Sequence, residues 1–359
     1  MLNTVKKPSS IQQDTHLWKQ ALKIFNGTAV AGFIFLRINL VIKSYKENSK
    51  LMDGILIVDK PIGKTSFDIV RDVRKEYQIK KVGHIGTLDP MASGVLPVLI
   101  GNATKLSNIL VEHDKEYIAV LKLGKSTDTG DSEGAITETD ENYLEKIGEL
   151  QNSLQIVERN TFQIAEKNTS QKNIGEIEKT ECIRKVLNSF LGDSFQIPPM
   201  YSAIKVNGKK LYELAREGKT IEREPRKINI SEIELLEYRE PDEIKFRVVC
   251  SKGTYIRVLC EDIAKKMNTV GYMLSLRRTR VGNFRIEDAN KFIKMQDIFD
   301  IPSINVNEGE YKKIVNGVII HNEKLQDYTG FCNVYFGDKY IGICDVKNGD
   351  CKRKIFISD

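Results

Sequence analysis

Twelve residues, GHIGTLDPMASG from Gly83 to Gly94, crowd reactive and backbone-permissive residue types into one short stretch. Three glycines, a His, an Asp-Pro pair and a closing Ser-Gly describe a loop made for close backbone approach. Glycine reaches left-handed and tightly packed conformations, and Pro90 steers the residue before it away from the helical region. Asp89 is therefore expected on a rigid extended turn, where its carboxylate can act as nucleophile or base. Taken alone, an Asp-Pro pair has a plainer reading, a residue that caps a turn.

Such a carboxylate needs a scaffold, and the flanking sequence supplies one. The apolar run Ile55 to Val58 reads as a buried strand ended by Pro61 and Gly63, and a helix follows with Ser66 as its N-cap and Phe67, Val70 and Val73 at helical spacing up to Tyr77. Glu116 to Leu123 reads as a strand. Thr180 to Leu191 reads as a helix with Ile183, Val186, Leu187 and Phe190 on one face. Ile228 to Tyr238 and Ile244 to Cys250 read as adjacent strands, and Ile256 to Met267 as an amphipathic helix opened by Thr254. The fold class is α+β, a mixed and mainly antiparallel central sheet with flanking helices. From about Ile301, the alternations Cys332 to Phe336 and Tyr340 to Val346, broken by Gly337-Asp338 and Asn348-Gly349, predict a small β-rich C-terminal domain. Asp140 to Lys179 is polar and poor in aromatics, which predicts an insertion or a surface helical segment.

The chain has 359 residues, of which 41% are hydrophobic, enough for one large domain and a small one. Its 55 Lys+Arg against 49 Asp+Glu leave +6, which permits a polyanionic partner without requiring one. Six cysteines show no C-x-x-C pair and no paired His, so neither a zinc site nor a disulfide framework is indicated, and a reducing cytoplasm suits them. The run Thr28 to Ile42 carries Arg37 and Asn39 and is shorter than the roughly 20 residues of a membrane span. No small-residue cleavage site follows it, so a secretory signal fits poorly. Residues 1–51 are read as an extension outside the fold, with Met52 as the candidate natural start.

The twelve-residue loop resembles the catalytic loop of the bacterial tRNA pseudouridine synthase B family almost position for position. The resemblance continues through GILIVDKPIGKTS (Gly54 to Ser66), GVLPVLIGNATK (Gly94 to Lys105), KEYIAVLKLG (Lys115 to Gly124), IPPMYSAIKVNGKKLYELAREG (Ile197 to Gly218), SKGTYIRVL (Ser251 to Leu259) and SLRRTRVGNF (Ser275 to Phe284). Ordered motifs at compatible spacing are far more specific than a single pattern match. The resemblance implies a catalytic domain over 52–298 and a small PUA-like RNA-binding domain over 299–359.

It also implies roles. Asp89 is the nucleophile, attacking at the ribose or at the base, alternatives that the sequence leaves open. Tyr117 stacks on the target uracil, and Arg257 pairs with Asp89 to hold it ionised and oriented. His84 helps hold the extruded nucleotide or fills the space it leaves, while Tyr255 and Leu276 line the base pocket. Lys205, Lys209, Lys210, Arg277 and Arg278 are read as RNA backbone contacts. The substrate is uridine 55 in the T loop of tRNA, with no cofactor, no metal and no obligatory protein partner. Two other readings stand beside this one, a guide-RNA-dependent relative and an RNA chaperone. The first 51 residues and the length of the 140–179 region depart from the family pattern.

Overall fold

The computed structural model describes residues 53–111, 113–158, 171–206 and 208–357. The expectations for residues 1–51, and for the middle of the 140–179 region, lie outside the described residues.

A ten-stranded sheet carries the fold. Its strands are β1 (Gly54–Lys60), β2 (Val82–His84), β3 (Ser93–Ile100), β4 (Lys115–Leu123), β5 (Gly192–Gln196), β6 (Arg226–Arg239), β7 (Glu243–Cys250), β8 (Gly271–Val281), β9 (Phe284–Arg285) and β10 (Phe292–Lys294). The order is β10-β1-β3-β8-β4-β7-β6-β5, with β2 paired to β3 and β9 to β8. Every pairing is antiparallel except β3 with β8, where Ser93 and Gly94 lie beside Arg277 and Arg278. That one parallel register lays the end of the reactive loop against β8.

The strands form where alternation and β-branched residues demand them. In β4 Tyr117, Ala119, Leu121 and Leu123 are buried while the residues between them are half-exposed, the period-2 pattern of a sheet with one covered face. Helix α1 (Ser66–Tyr77) buries Ile69, Val70 and Val73 against Leu56, Val58, Leu96 and Val98. At roughly 1.5–3 kcal/mol for each buried aliphatic side chain, this face accounts for most of what holds α1 in place. The N-cap is Thr65 rather than Ser66: the Thr65 Oγ1 accepts from Asp68 N, and the Asp68 carboxylate reaches back to Thr65 N. Ser66 is instead buried inside the first turn.

Helices α2 (Tyr143–Glu158) and α3 (Gln171–Asn188) flank the far half of the sheet, the latter beginning earlier than the apolar spacing indicates. Helix α4 (Ile256–Lys266) packs Leu259, Cys260, Ile263 and Ala264 into the core beneath β4 and β8. Its N-cap is Tyr255, while the Thr254 hydroxyl donates to Ser251 O. The C-terminal β-rich prediction is realised as a five-stranded sheet, Ser303–Asn305, Thr329–Phe336, Lys339–Lys347, Asp350–Phe356 and Ile320–His321 in that order. Its Ile343 and Ile355 share a buried cluster with Ile55, Ile57, Val95 and Leu99, and Lys105 Nζ donates to Phe356 O at 2.7 Å. Deleting the chain from about Ile301 should therefore expose the back of β1 and β3 and lower the melting temperature, readable by a thermal melt of the truncated protein; an unchanged melt would refute the shared core.

Candidate active site

The reactive loop spans the gap between β2 and β3. Asp89 and Pro90 lie outside regular structure, and Ala92 N donates to Asp89 O at 3.1 Å to close the turn. Three neighbours clamp the loop. Ser66 Oγ donates to Leu88 O and accepts from Leu88 N. Gly63 N donates to Pro90 O at 2.9 Å. Lys60, at 0% exposure, donates to the carbonyls of Pro61, Lys64 and Pro90. Burial brings this ammonium down to about 8, against the opposing pull of Asp89. Gly94 closes the loop at φ +111°, where a Cβ would stand 2.1 Å from Arg278 O, so the β3–β8 contact requires glycine.

At the loop's apex Asp89 meets Arg257, the second residue of α4. Arg257 Nε lies 3.1 Å from Asp89 Oδ2, with the arginine side chain 6% and the aspartate side chain 36% exposed. A second carboxylate shares the guanidinium: Asp131 Oδ2 stands 3.6 Å from the same Nε. Arg257 Nη1 and Nη2 donate to Thr129 O and Tyr201 O at 2.9 and 2.8 Å. Desolvation pushes the Asp89 carboxyl above the usual range, and Arg257 opposes that rise. The outcome is a carboxylate open to a substrate on one side and held by a fixed planar donor on the other.

Apolar residues pack behind the ion pair. Leu88, Met91, Ala92, Tyr117, Ile256 and Leu276 belong to one buried cluster. Burial lifts the Tyr117 phenol to about 12, with Arg278 beside it pulling the other way, so it is a neutral hydroxyl at physiological pH. His84, on β2, is lowered by burial and by Arg278, and its Nδ1 is buried without a hydrogen-bond partner. Tyr255 is half-buried at the start of α4.

The basic residues divide. Lys205 and Lys209 are exposed and Lys210 half-exposed on a two-stranded ribbon, Lys205–Val206 with Lys209–Lys210. Arg277 is paired with Asp59 through both Nη atoms and also reaches Ser93 Oγ. Arg278 corrects the sequence reading: at 0% exposure it donates to Val95, Thr87 and Gly86 carbonyls, so it braces the reactive loop from inside and has no face to offer a phosphate. Arg278→Met should strand those three carbonyls and cost about 3 kcal/mol. A thermal melt should then fall by roughly 5–10 °C; a melt equal to wild type would show that the bracing contributes little.

Residues 74–160 and 152–256 match the TruB family pseudouridylate synthase N-terminal domain, and residues 257–318 match the tRNA pseudouridylate synthase B C-terminal domain. The chain belongs to the TruB family. It is 41% identical over 324 residues to tRNA pseudouridine synthase B of Clostridium kluyveri, covering 85% of this chain and 100% of that protein. The enzyme of the same name from Clostridium novyi is 43% identical over 309 residues, covering 81% and 95%, and that of Francisella philomiragia is 37% identical over 327 residues, covering 87% and 97%. A solved Cbf5-Nop10-Gar1 complex contains a chain of the same fold, with a TM-score of 0.51, 21% identity and 85% of each chain covered.

Within this TruB family member, sequence reasoning missed Asp131 and Lys60, and gave Ser66 the role of a helix cap where it clamps Leu88. Asp131 had a signal, the polar run Thr127-Asp128-Thr129-Gly130-Asp131 directly after a strand, where a turn must present carboxylates. Lys60 follows Asp59 at the end of a strand whose Ile55 to Val58 are apolar, a position where a charge is either solvated or bound. Nothing in the sequence distinguishes the two.

Proposed function

We propose that this protein is a tRNA pseudouridine synthase, an isomerase that converts uridine 55 in the T loop of tRNA to pseudouridine. The observation that carries the reading is the Asp89–Arg257 ion pair, set on a loop whose Leu88, Met91 and Ala92 pack with Tyr117, Ile256 and Leu276. The names of the relatives at 37–43% identity support it.

The chemistry suits the site. The C1′–N1 bond breaks, the uracil turns, a C1′–C5 bond forms and the C5 hydrogen is replaced by one on N1. Atoms and electrons balance without a cofactor or a metal. Asp89 is the nucleophile, Arg257 holds it, and Tyr117, His84, Tyr255 and Leu276 receive the uracil. Extruding a base from a folded loop costs a few kcal/mol, which contact with these walls offsets. The ribbon lysines Lys205, Lys209 and Lys210 bind the RNA backbone, with residues 299–359 as a second RNA-binding region. The protein acts in the cytoplasm without an obligatory partner; the six buried free thiols fit a reducing compartment.

Unmodified tRNA incubated with the purified protein, without guide RNA, should acquire one pseudouridine in the T loop, mapped base by base. A transcript with that uridine changed to cytidine should acquire none. Binding without modification would favour a chaperone, and dependence on an added RNA would favour the guided relatives. Lys205→Glu, Lys209→Glu and Lys210→Glu should each weaken tRNA binding and flatten its salt dependence by about one unit of slope. An unchanged slope in all three would remove the ribbon from the interface.

A further inference from the structure

The ribbon that bears the exposed lysines is joined to the catalytic ion pair by a short, doubly anchored stretch of chain. Gln196, the last residue of β5, is 4% exposed. Both ends of its amide meet one residue: Nε2 donates to Tyr255 O at 3.1 Å, and Oε1 accepts from Tyr255 N at 2.7 Å. Further along, Tyr201 O accepts from Arg257 Nη2. Between these anchors run Ile197, Pro198, Pro199 and Met200, where consecutive prolines narrow the backbone's freedom. Past Tyr201 the chain enters the lysine ribbon, closed by Leu211 N to Ile204 O and Tyr212 N to Ser202 O.

Tyr255 is the N-cap of α4 and has no side-chain cap of its own. Its carbonyl already accepts the first helical bond, from Leu259 N at 3.0 Å. The direction in which α4 starts, and with it the aim of Arg257, is therefore fixed from outside the helix. Gln196 supplies that fixation, in the manner of one added rung between two strands.

We propose that Gln196 is a positioning residue for the isomerisation: it sets the Tyr255 main chain, hence the aim of Arg257 at Asp89, and ties that aim to the seating of the lysine ribbon on RNA. This rests on the proposed function. A displacement of about 1 Å at the reacting groups is enough to cost on the order of 10²-fold in rate, whereas affinity arises at the exposed lysines.

Two variants test it. Gln196→Met keeps volume and removes both bonds; single-turnover rate on T-arm RNA should fall between about 10-fold and 10²-fold while the dissociation constant changes little. Gln196→Glu keeps the acceptor for Tyr255 N and, only when protonated, the donor to Tyr255 O. Its rate relative to wild type should therefore decline as pH rises through that carboxyl's titration. The charged groups around it include Arg226, opposite on β6, Arg223, which donates to Pro198 O, and Asp89 and Arg257, which act on Tyr255. Amide hydrogen exchange over residues 255–259 should quicken in Gln196→Met, a readout independent of activity. A Met variant with wild-type rate, a Glu-to-wild-type ratio flat across pH, or unchanged exchange would each overturn the assignment. Wild-type protein that makes no pseudouridine would instead refute the proposed function and leave the exchange result to decide the positioning.

Discussion

Asp89→Asn is expected to abolish pseudouridine formation, a loss on the order of 10⁴-fold or more, while tRNA binding and folding persist. Asn keeps the size and the turn but cannot carry the nucleophilic charge. Folding should survive because Arg257 does not depend on Asp89 alone: Asp131, Thr129 O and Tyr201 O remain as partners. Desolvation already disfavours the Asp89 charge in the folded state, so losing that charge removes a strain rather than a support. Single-turnover assays on T-arm RNA, with a binding titration alongside, separate the two effects. An Asn variant that still forms pseudouridine would remove Asp89 from the nucleophile's role.

The residues of the proposed site and those that hold them in place were unequally legible. Asp89 stood out because a charge between glycines and a proline is a local pattern, and Arg257 could be paired with it through the family motif around Ser251 to Leu259. The strands were readable for the same reason, since the alternation of Tyr117, Ala119 and Leu121 is local. What stayed hidden depends on register. Arg277 and Arg278 are adjacent and identical in type, and only the bulged register of β8 sends one to Asp59 on the surface and the other beneath Gly86. Asp131 and Gln196 are ordinary polar residues until topology carries them to Arg257 and Tyr255, and no single-sequence pattern encodes that meeting. The cap misassigned to Ser66 is a smaller case: Thr65 and Ser66 are both good caps, and burial against Leu88 decides between them.

The second large effect is expected at Arg257. Met there removes the cation from between two carboxylates, Asp89 and Asp131, and leaves Lys60 to pull the Asp89 carboxyl down. Arg257 holds the Asp89 carboxyl down against desolvation, so its removal should move that carboxyl further up and lower the ionised fraction at neutral pH. Rate should fall on the order of 10²-fold near neutrality and recover in part as pH rises, displacing the acid limb of the profile upward. Stability follows the same sign. A carboxyl whose folded value exceeds its unfolded value binds more protons folded than unfolded, so the variant's stability should decline as pH climbs through that interval. Arg257→Lys keeps the charge but cannot span Asp89, Thr129 O and Tyr201 O with a planar fork. It should lose rate with a smaller displacement of the limb. Single-turnover pH profiles and thermal melts of both variants decide the matter: a Met variant whose profile overlays wild type would leave Arg257 a structural residue only, and one slowed equally at every pH would show that it aims Asp89 without tuning it.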